Sequence, residues 1–162
     1  MKVQSKLRDA LALVGFLGIC YAVAALGGLW TSGSVTSWYP GLNKPSWTPP
    51  NWLFGPVWSL LYTMMAVAAW LVWRRGEGRE AKVGLSLFGT QLLLNLAWSG
   101  LFFGLQRPDL GLLDMGALWV AILATAVSFL RVSPVAAGLM LPYLAWVSYA
   151  AALNFAIWRL NP

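Results

Sequence analysis

Five long apolar runs constrain this chain more than any other feature of its sequence. They occupy residues 10–30, 52–73, 83–105, 110–130 and 135–158. A helix of roughly 20 apolar residues crosses the ~30 Å hydrocarbon core of a bilayer, so each run is long enough to span a membrane. The pattern predicts an all-α, integral, multi-pass membrane protein, in which five transmembrane helices form a single domain over residues 1–162.

The composition excludes the main alternatives to a membrane protein. The chain is 59% apolar and only 10% charged, whereas a soluble domain carries about a quarter charged residues. A disordered chain is excluded as well, because disorder requires few apolar residues and high charge. We assign the net charge of +6 to membrane topology and not to a nucleic-acid surface, and we expect no nucleic-acid partner.

The basic residues are distributed unevenly among the segments that connect the runs. Eight precede the first run or lie in the second and fourth connections: Lys2, Lys6, Arg8, Arg74, Arg75, Arg79, Lys82 and Arg131. Only three fall on the other side: Lys44, Arg107 and Arg159. Because Lys and Arg are enriched in cytoplasmic segments, we expect a cytoplasmic membrane with the N-terminus inside. An outer membrane is the alternative location.

Several residue types that enzymes and metal sites need are missing. The chain has no histidine and a single cysteine, Cys20, which excludes a Ser-His-Asp triad, an intrachain disulfide and a metal site of the usual His/Cys type. Asp114 is the only charged residue inside the five runs, which disfavours an ion-coupled transporter. We therefore expect no conventional catalysis, no catalytic residue, no bound metal and no obligatory cofactor.

The segment between the first two runs, residues 31–51, is rich in aromatic residues and proline. It contains Trp38, Tyr39, Pro40, Pro45, Trp47, Pro49 and Pro50. A flexible linker is instead rich in glycine and serine. The composition predicts a stiff segment that packs over one end of the bundle like a lid.

Aromatic and amide side chains recur at helical spacing in three of the runs. Run by run, they are Trp58 and Tyr62; Gln91, Asn95 and Trp98; and Tyr143, Trp146 and Ala150. With a rise of about 1.5 Å per residue, these stripes fall in the half of the bilayer beneath the predicted lid. Two interpretations stay open at this point: ordinary packing, with the amides joining helices, or a tryptophan-lined ligand pocket.

Two further patterns concern helix packing. Trp119 lies in the middle of the fourth run with no polar companion on its stripe, which indicates packing or lipid contact. Gly100 and Gly104 form a G-x-x-x-G, and the fifth run carries a ridge of small residues. Either feature permits close helix approach, within the bundle or in a homodimer.

Three groups of motifs match a known family. They are WYPGLNKPSWTPP at 38–50 with GPVW at 55–58, QLLLNLAW at 91–98, and PYLAW at 142–146 with LNF at 153–155. These motifs resemble the tryptophan-rich sensory protein and translocator protein family (TspO/MBR), the relatives of the peripheral benzodiazepine receptor. The resemblance covers nearly the whole chain.

The resemblance implies a five-helix bundle, usually dimeric, that binds porphyrins such as protoporphyrin IX or haem, and also sterol-like or isoquinoline ligands. It places the ligand-contacting positions on Tyr39, Trp58, Asn95, Trp98, Trp146 and Ala150. Helical spacing adds Tyr62 to this set. The implied partners are a porphyrin or another apolar aromatic small molecule, membrane lipid and a second copy of the chain. Phe155 stands where the sterol motif of animal members has tyrosine, so the resemblance does not extend to that motif.

Two functions follow from the resemblance together with the residues. The first is a tetrapyrrole sensor or transporter in which Trp58 and Trp146 stack on the porphyrin disc, with Lys44 near a ligand carboxylate. The alternative is a light-dependent porphyrin-degrading protein. Photo-oxidation by oxygen needs an oxidisable indole, such as Trp58 or Trp146, and no general base.

Overall fold

A computed structural model describes residues 2–76 and 78–162 of the chain, so Met1 and Glu77 lie outside the described residues. Five helices account for most of the structure: α1 (Lys2–Thr36), α2 (Asn51–Arg75), α3 (Arg79–Ser99), α4 (Pro108–Leu130) and α5 (Pro134–Leu160). Each contains a stretch that is long and apolar enough to cross a membrane. The predicted all-α bundle of five membrane-spanning helices is confirmed.

The first helix departs most from its predicted boundaries. Residues 31–36, predicted as part of the lid, belong to α1. Their hydroxyl groups bond back to the preceding turn: Thr31 Oγ1 donates to the carbonyl of Gly27 at 2.9 Å, and Thr36 Oγ1 to that of Ser32 at 3.3 Å. Hydropathy identifies the apolar part of a helix and not its polar end, and hydroxyls satisfied in this way allow the helix to continue.

The helices form a closed ring. In this ring α1 packs against α2, α2 against α5, α5 against α4, α4 against α3, and α3 against α1. The α1–α2 loop (residues 37–50), the α3–α4 connection and the C-terminus share one end, which we call the loop face. The α2–α3 and α4–α5 connections share the opposite end, which we call the basic face because eight of the chain's basic residues lie in or beside these connections and the start of α1.

The half of the bundle next to the basic face is solidly packed. Its side chains with no exposed surface are Met65, Ala66, Ala68, Ala69, Val72, Phe129, Ala136 and Met140. Gly84 of α3 allows α4 to come close, since a Cβ there would lie 3.0 Å from the Phe129 ring. At the basic face, Arg75 donates to the hydroxyl of Ser133, the N-cap of α5, which joins α2 to the start of α5.

The α1–α2 loop lies across the loop face and is attached to α5 at two points. Asn161, just after α5, accepts from the backbone N–H of Asn43 at 2.9 Å and donates to its carbonyl at 3.0 Å. The Tyr149 hydroxyl donates to the carbonyl of Trp47 at 2.8 Å, and the two rings meet edge to face. A single 3-10 turn, Tyr39–Gly41, directs Tyr39 into the bundle, where it is buried.

Two packing expectations are changed by the structure. The Trp119 indole N–H donates to the Ser148 hydroxyl at 2.8 Å, so Trp119 has a polar partner on a neighbouring helix although none lies on its own stripe. The periodicity of α4 could not show this, because the partner is on α5. Gly100 and Gly104 pack on the ring of Trp30 from the same chain, where Cβ atoms would lie 3.4 and 3.2 Å from ring carbons. This glycine pair therefore serves packing of α1 within the bundle.

A candidate ligand-binding cavity

A cavity of about 460 Å³ occupies the half of the bundle nearest the loop face. This volume is in the range of small-molecule sites, about 300–1,000 Å³. Its walls come from α1, α2, α3 with the turn that follows it, and α5, and Tyr39 of the 3-10 turn lies above. The described residues of α4 contribute nothing to the lining, because α4 lies behind α3 and α5.

Most of the site residues predicted from sequence meet at this cavity. Its lining includes Tyr39, Trp58, Tyr62, Asn95, Trp98 and Ala150. Trp146 is not part of the lining. Its ring packs behind the wall, 5.9 Å from the Phe54 ring and 5.7 Å from the Tyr149 ring by centroids, and its indole N–H has no hydrogen-bond partner. The helical position of Trp146 was predicted, but the rotation of α5 turns the ring towards α2.

The floor of the cavity is a buried hydrogen-bond network that joins three helices. The Tyr62 hydroxyl of α2 donates to Asn95 Oδ1 of α3 at 2.6 Å, and Asn95 Nδ2 donates to the Tyr143 hydroxyl of α5 at 2.8 Å. The ring of Trp58 lies above both tyrosines, with centroids 5.6 Å from Tyr62 and 6.1 Å from Tyr143. Asn95 therefore fixes the depth and orientation of the aromatic floor and is not a partner for an indole.

One wall is held by Asn154, a lining residue that the sequence patterns did not predict. Asn154 is 2% exposed; its Oδ1 accepts from the Trp98 indole N–H at 3.1 Å and its Nδ2 donates to the Pro108 carbonyl at 2.7 Å. It therefore orients the Trp98 ring and connects α5 to the first turn of α4. The available signal was a lone carboxamide in α5, since a buried indole N–H needs a partner.

A π-helical turn, Gly100–Gly104, shapes the wall next to Trp98. The wider turn brings the consecutive residues Phe102 and Phe103 both into the cavity lining. The Phe102 ring stacks on Trp98 at 5.4 Å, and the carbonyl of Phe103 accepts a hydrogen bond from the Ser34 hydroxyl of α1. Such turns are often found at functional sites, and hydropathy does not distinguish them from α-helix.

None of the side chains that line the cavity carries a formal charge. Burial raises the pKa of the Tyr39 hydroxyl, so this phenol stays neutral at physiological pH. Lys44, expected near a ligand carboxylate, folds over the Tyr39 ring, and its ammonium donates to the carbonyls of Tyr39, Pro40 and Leu42. Its hydrogen-bonding capacity is thus used by the loop itself.

The described residues contain no cluster of three or more His, Cys, Asp or Glu side chains that could hold a metal ion. The groups in the cavity that could contact a ligand are aromatic faces, hydroxyls and three carboxamides. This lining suits the binding of an apolar aromatic molecule, with a hydrogen-bond donor in the Asn51 carboxamide near the loop face.

Comparison with known proteins agrees with this architecture. The TspO/MBR family model matches residues 16–159. The chain is 46% identical to the tryptophan-rich protein TspO of Chlorobaculum tepidum, over 96% of this chain and 99% of that protein. It is 43% identical to the translocator protein of Homo sapiens over 84% of this chain and 82% of that protein, and 37% identical to the tryptophan-rich sensory protein of Cereibacter sphaeroides over 90% and 89%. The chain therefore belongs to the TspO/MBR family of integral membrane proteins.

Proposed function

We propose that this protein binds a porphyrin, or a similarly flat and apolar aromatic molecule, in the cavity beneath the α1–α2 loop. The observation that carries the proposal is the lining, which combines aromatic rings such as Trp58, Trp98 and Phe102 with no charged side chain. An aromatic disc gains offset or edge-to-face contacts with such rings. A charged ligand core would instead lose its hydration with no opposite charge to compensate it.

The two carboxylates of a porphyrin would lie at the loop face. Asn51 is an exposed lining residue there, and its carboxamide can donate a hydrogen bond to a carboxylate. Ser32 is exposed there as well, but its hydroxyl donates to the Leu29 carbonyl at 3.2 Å and would have to turn to reach a ligand. Lys44 is a weaker candidate, since its ammonium is already bonded to three carbonyls. The disc would then extend inward, towards the floor formed by Trp58 and Tyr62.

Protoporphyrin IX is the favoured ligand over haem. The chain has no histidine, and the Tyr62 hydroxyl, which lines the cavity, is engaged by Asn95. Haem would therefore be held by contacts with its ring more than by coordination of its iron. A titration that compares the metal-free and iron forms tests this order, since we expect the metal-free form to bind at least as tightly.

The biological role that fits such a cavity is that of a tetrapyrrole sensor or transporter. Relatives are named translocator protein and tryptophan-rich sensory protein, and these names support both roles. Porphyrin flux into liposomes that contain the protein distinguishes them. Transport requires flux that depends on the protein, whereas sensing requires saturable binding without flux.

Light-dependent porphyrin degradation is the second candidate, and the position of Trp58 favours it. The indole lines the cavity and its ring adjoins Tyr62 and Tyr143. An oxidant that illuminated porphyrin generates from oxygen would meet this ring first. Illumination of the complex with and without oxygen, followed by product analysis, tests this function. Loss of porphyrin absorbance without new tetrapyrrole products would count against it.

We also propose a cytoplasmic-membrane location with the basic face inside, and a homodimer as the assembled form. The eight-to-three distribution of basic residues carries the orientation. A cysteine at Ser46, which is exposed in the α1–α2 loop, should react with an impermeant reagent from outside, and a cysteine at Gly78 should not.

Because Gly100 and Gly104 pack on Trp30, a dimer would use another face, such as the exposed surface of α4 and α5. Mass measurement in nanodiscs tests the assembly.

Direct titration tests the central proposal. Protoporphyrin IX should quench the fluorescence of the purified protein saturably in the dark. Substitution of Trp58 should weaken binding, whereas Trp52, which is 72% exposed and outside the cavity, serves as the matched control. Quenching that does not saturate, or that is equal in both variants, would refute a specific site.

A further inference from the structure

The exposed residues of the cavity lining are not distributed around the ring of helices. They are Tyr21, Gly28, Ser32, Asn51, Gly55 and Ser59, and all six belong to α1 or α2. Every lining residue contributed by α3, the π-helical turn and α5 is buried or half-buried. The cavity therefore opens along one line, the contact between α1 and α2, which we call the α1–α2 seam.

The seam runs into the membrane and is not confined to the loop face. From Ser32 near that face to Tyr21, α1 advances eleven residues, or about 16 Å at 1.5 Å per residue. Its deep end is closed by the Tyr21 hydroxyl, which lies 2.8 Å from Thr63 Oγ1 and 3.2 Å from the Ser59 carbonyl of α2. An opening of this depth faces lipid tails along most of its length.

Small residues keep the seam open. On α1, a Cβ at Gly28 would meet no atom within 4 Å, and the same holds for Gly55 on α2. These two positions and Ser59 leave room between the helices where larger side chains would fill it. The loop face, by contrast, is covered by the α1–α2 loop, which Asn43 attaches just beyond the end of α5 and Trp47 to the middle of that helix.

We propose that ligands reach the cavity from within the bilayer, through the α1–α2 seam, with Tyr21 marking its lower limit. This inference rests on the proposed binding function and adds the class of ligand that the site selects, namely molecules already partitioned into the membrane. Gly28, Gly55 and Ser59 are then the positions that determine which molecular widths pass. A bulky residue in the seam slows passage in both directions, whereas a change within the cavity alters affinity.

Stopped-flow fluorescence with protoporphyrin IX, on the full chain in lipid nanodiscs, separates these effects. In Gly28→Phe we expect association and dissociation both to slow by about tenfold or more. Gly18→Phe is the matched control, because Gly18 is an exposed glycine of the same helix, has equal space around its Cβ and does not line the cavity. Its rates should equal those of the unaltered protein.

A second variant closes the alternative route. Asn43→Cys with Asn161→Cys, oxidised to a disulfide, attaches the α1–α2 loop covalently where the two residues already bond. Access through the seam predicts unchanged rates in this variant. Slowing in the disulfide variant together with unchanged rates in Gly28→Phe would overturn the seam and assign access to the loop face.

The remaining outcomes are also decisive. Weaker affinity in Gly28→Phe at an unchanged association rate would mean that the side chain fills the cavity, which overturns the seam as a route. If Gly28→Phe does not give a folded protein by circular dichroism, Gly55→Phe tests the same route from α2. Failure of the unaltered protein to quench saturably would refute the proposed binding function itself, independently of the route.

Discussion

The two halves of this bundle are built from the same five helices, but they differ in what fills the space between them. Near the basic face, α2 presents Ala66, Ala68 and Ala69 with no exposed surface, and large neighbours such as Phe129 close the remaining gaps. Near the loop face, the same helix presents Gly55, Trp58 and Ser59, and a cavity of about 460 Å³ remains. The space between the helices is thus filled by side chains at one end and left open at the other.

The polar groups differ between the halves in the same way. Near the basic face, the contacts of charged side chains lie towards the helix ends, as in the contact of Arg74 with Asp9 at 3.1 Å, and one buried carboxamide, Gln91, donates to the Met65 sulfur at 3.8 Å. Near the loop face, uncharged amides and hydroxyls lie inside the bundle and join helices across the cavity. A cavity in lipid can be framed by neutral groups that satisfy one another, whereas unpaired charges there would be costly.

The largest effect is expected on stability, from a substitution in the solidly packed half next to the basic face. Phe129→Ala should lower the free energy of unfolding by about 2 kcal/mol, which is less than in a soluble core because burial from lipid brings little hydrophobic gain. Thermal melting of the helical circular dichroism signal in detergent measures the loss. The porphyrin affinity of the folded protein should not change. Phe155→Ala, at a position that is 50% exposed, is the matched control and should melt normally.

The next effect is expected on porphyrin affinity, from a substitution in the half that contains the cavity. Trp58→Phe should weaken protoporphyrin IX binding by roughly 2- to 13-fold, which corresponds to about 0.5–1.5 kcal/mol of ring contact. Trp58→Ala should weaken it further, because buried area is also lost. Fluorescence titration in the dark gives both values, with Trp52→Phe as control. A melting temperature that falls while affinity holds would assign Trp58 to packing and not to the ligand.

An effect of similar size is expected at the wall that Asn154 holds. Asn154→Leu should leave the Trp98 indole N–H and the Pro108 carbonyl unpaired, and destabilise the protein by about 0.6–1.7 kcal/mol, the range of interhelical hydrogen bonds in membranes. A double-mutant cycle with Trp98→Phe isolates the bond. The cost of Asn154→Leu should shrink in the Trp98→Phe background, and strictly additive costs would contradict the coupling.

The smallest effect on porphyrin affinity is expected at Trp146, whose ring packs next to the cavity without lining it. Trp146→Phe should change porphyrin affinity by less than about twofold, because the ring stands behind Phe54 and does not line the cavity. Its indole N–H has no partner, so removing it leaves no group unpaired. An effect as large as that of Trp58→Phe would show that α5 rotates when ligand binds and brings Trp146 into the site.

Much of the site was predictable because helical spacing determines which residues share a face. Trp58 and Tyr62, four residues apart, do line the cavity together, and Asn95 and Trp98 of α3 meet them there. Spacing could not identify partners on other helices, such as Asn154 of α5, which accepts from the Trp98 indole N–H. The same limit explains Trp119, whose partner Ser148 lies on α5.

The sequence by itself determined the membrane environment, the number of helices and the side chains available to the cavity, because length, hydropathy and periodicity act within one helix. Only the tertiary structure decided which rings face the cavity and where it opens. Those outcomes depend on helix rotation and on the distance between neighbours. Trp146 is turned away from the cavity, the π-helical turn brings Phe102 and Phe103 into it, and Gly28 and Gly55 lie at its opening because α1 and α2 are adjacent in the ring.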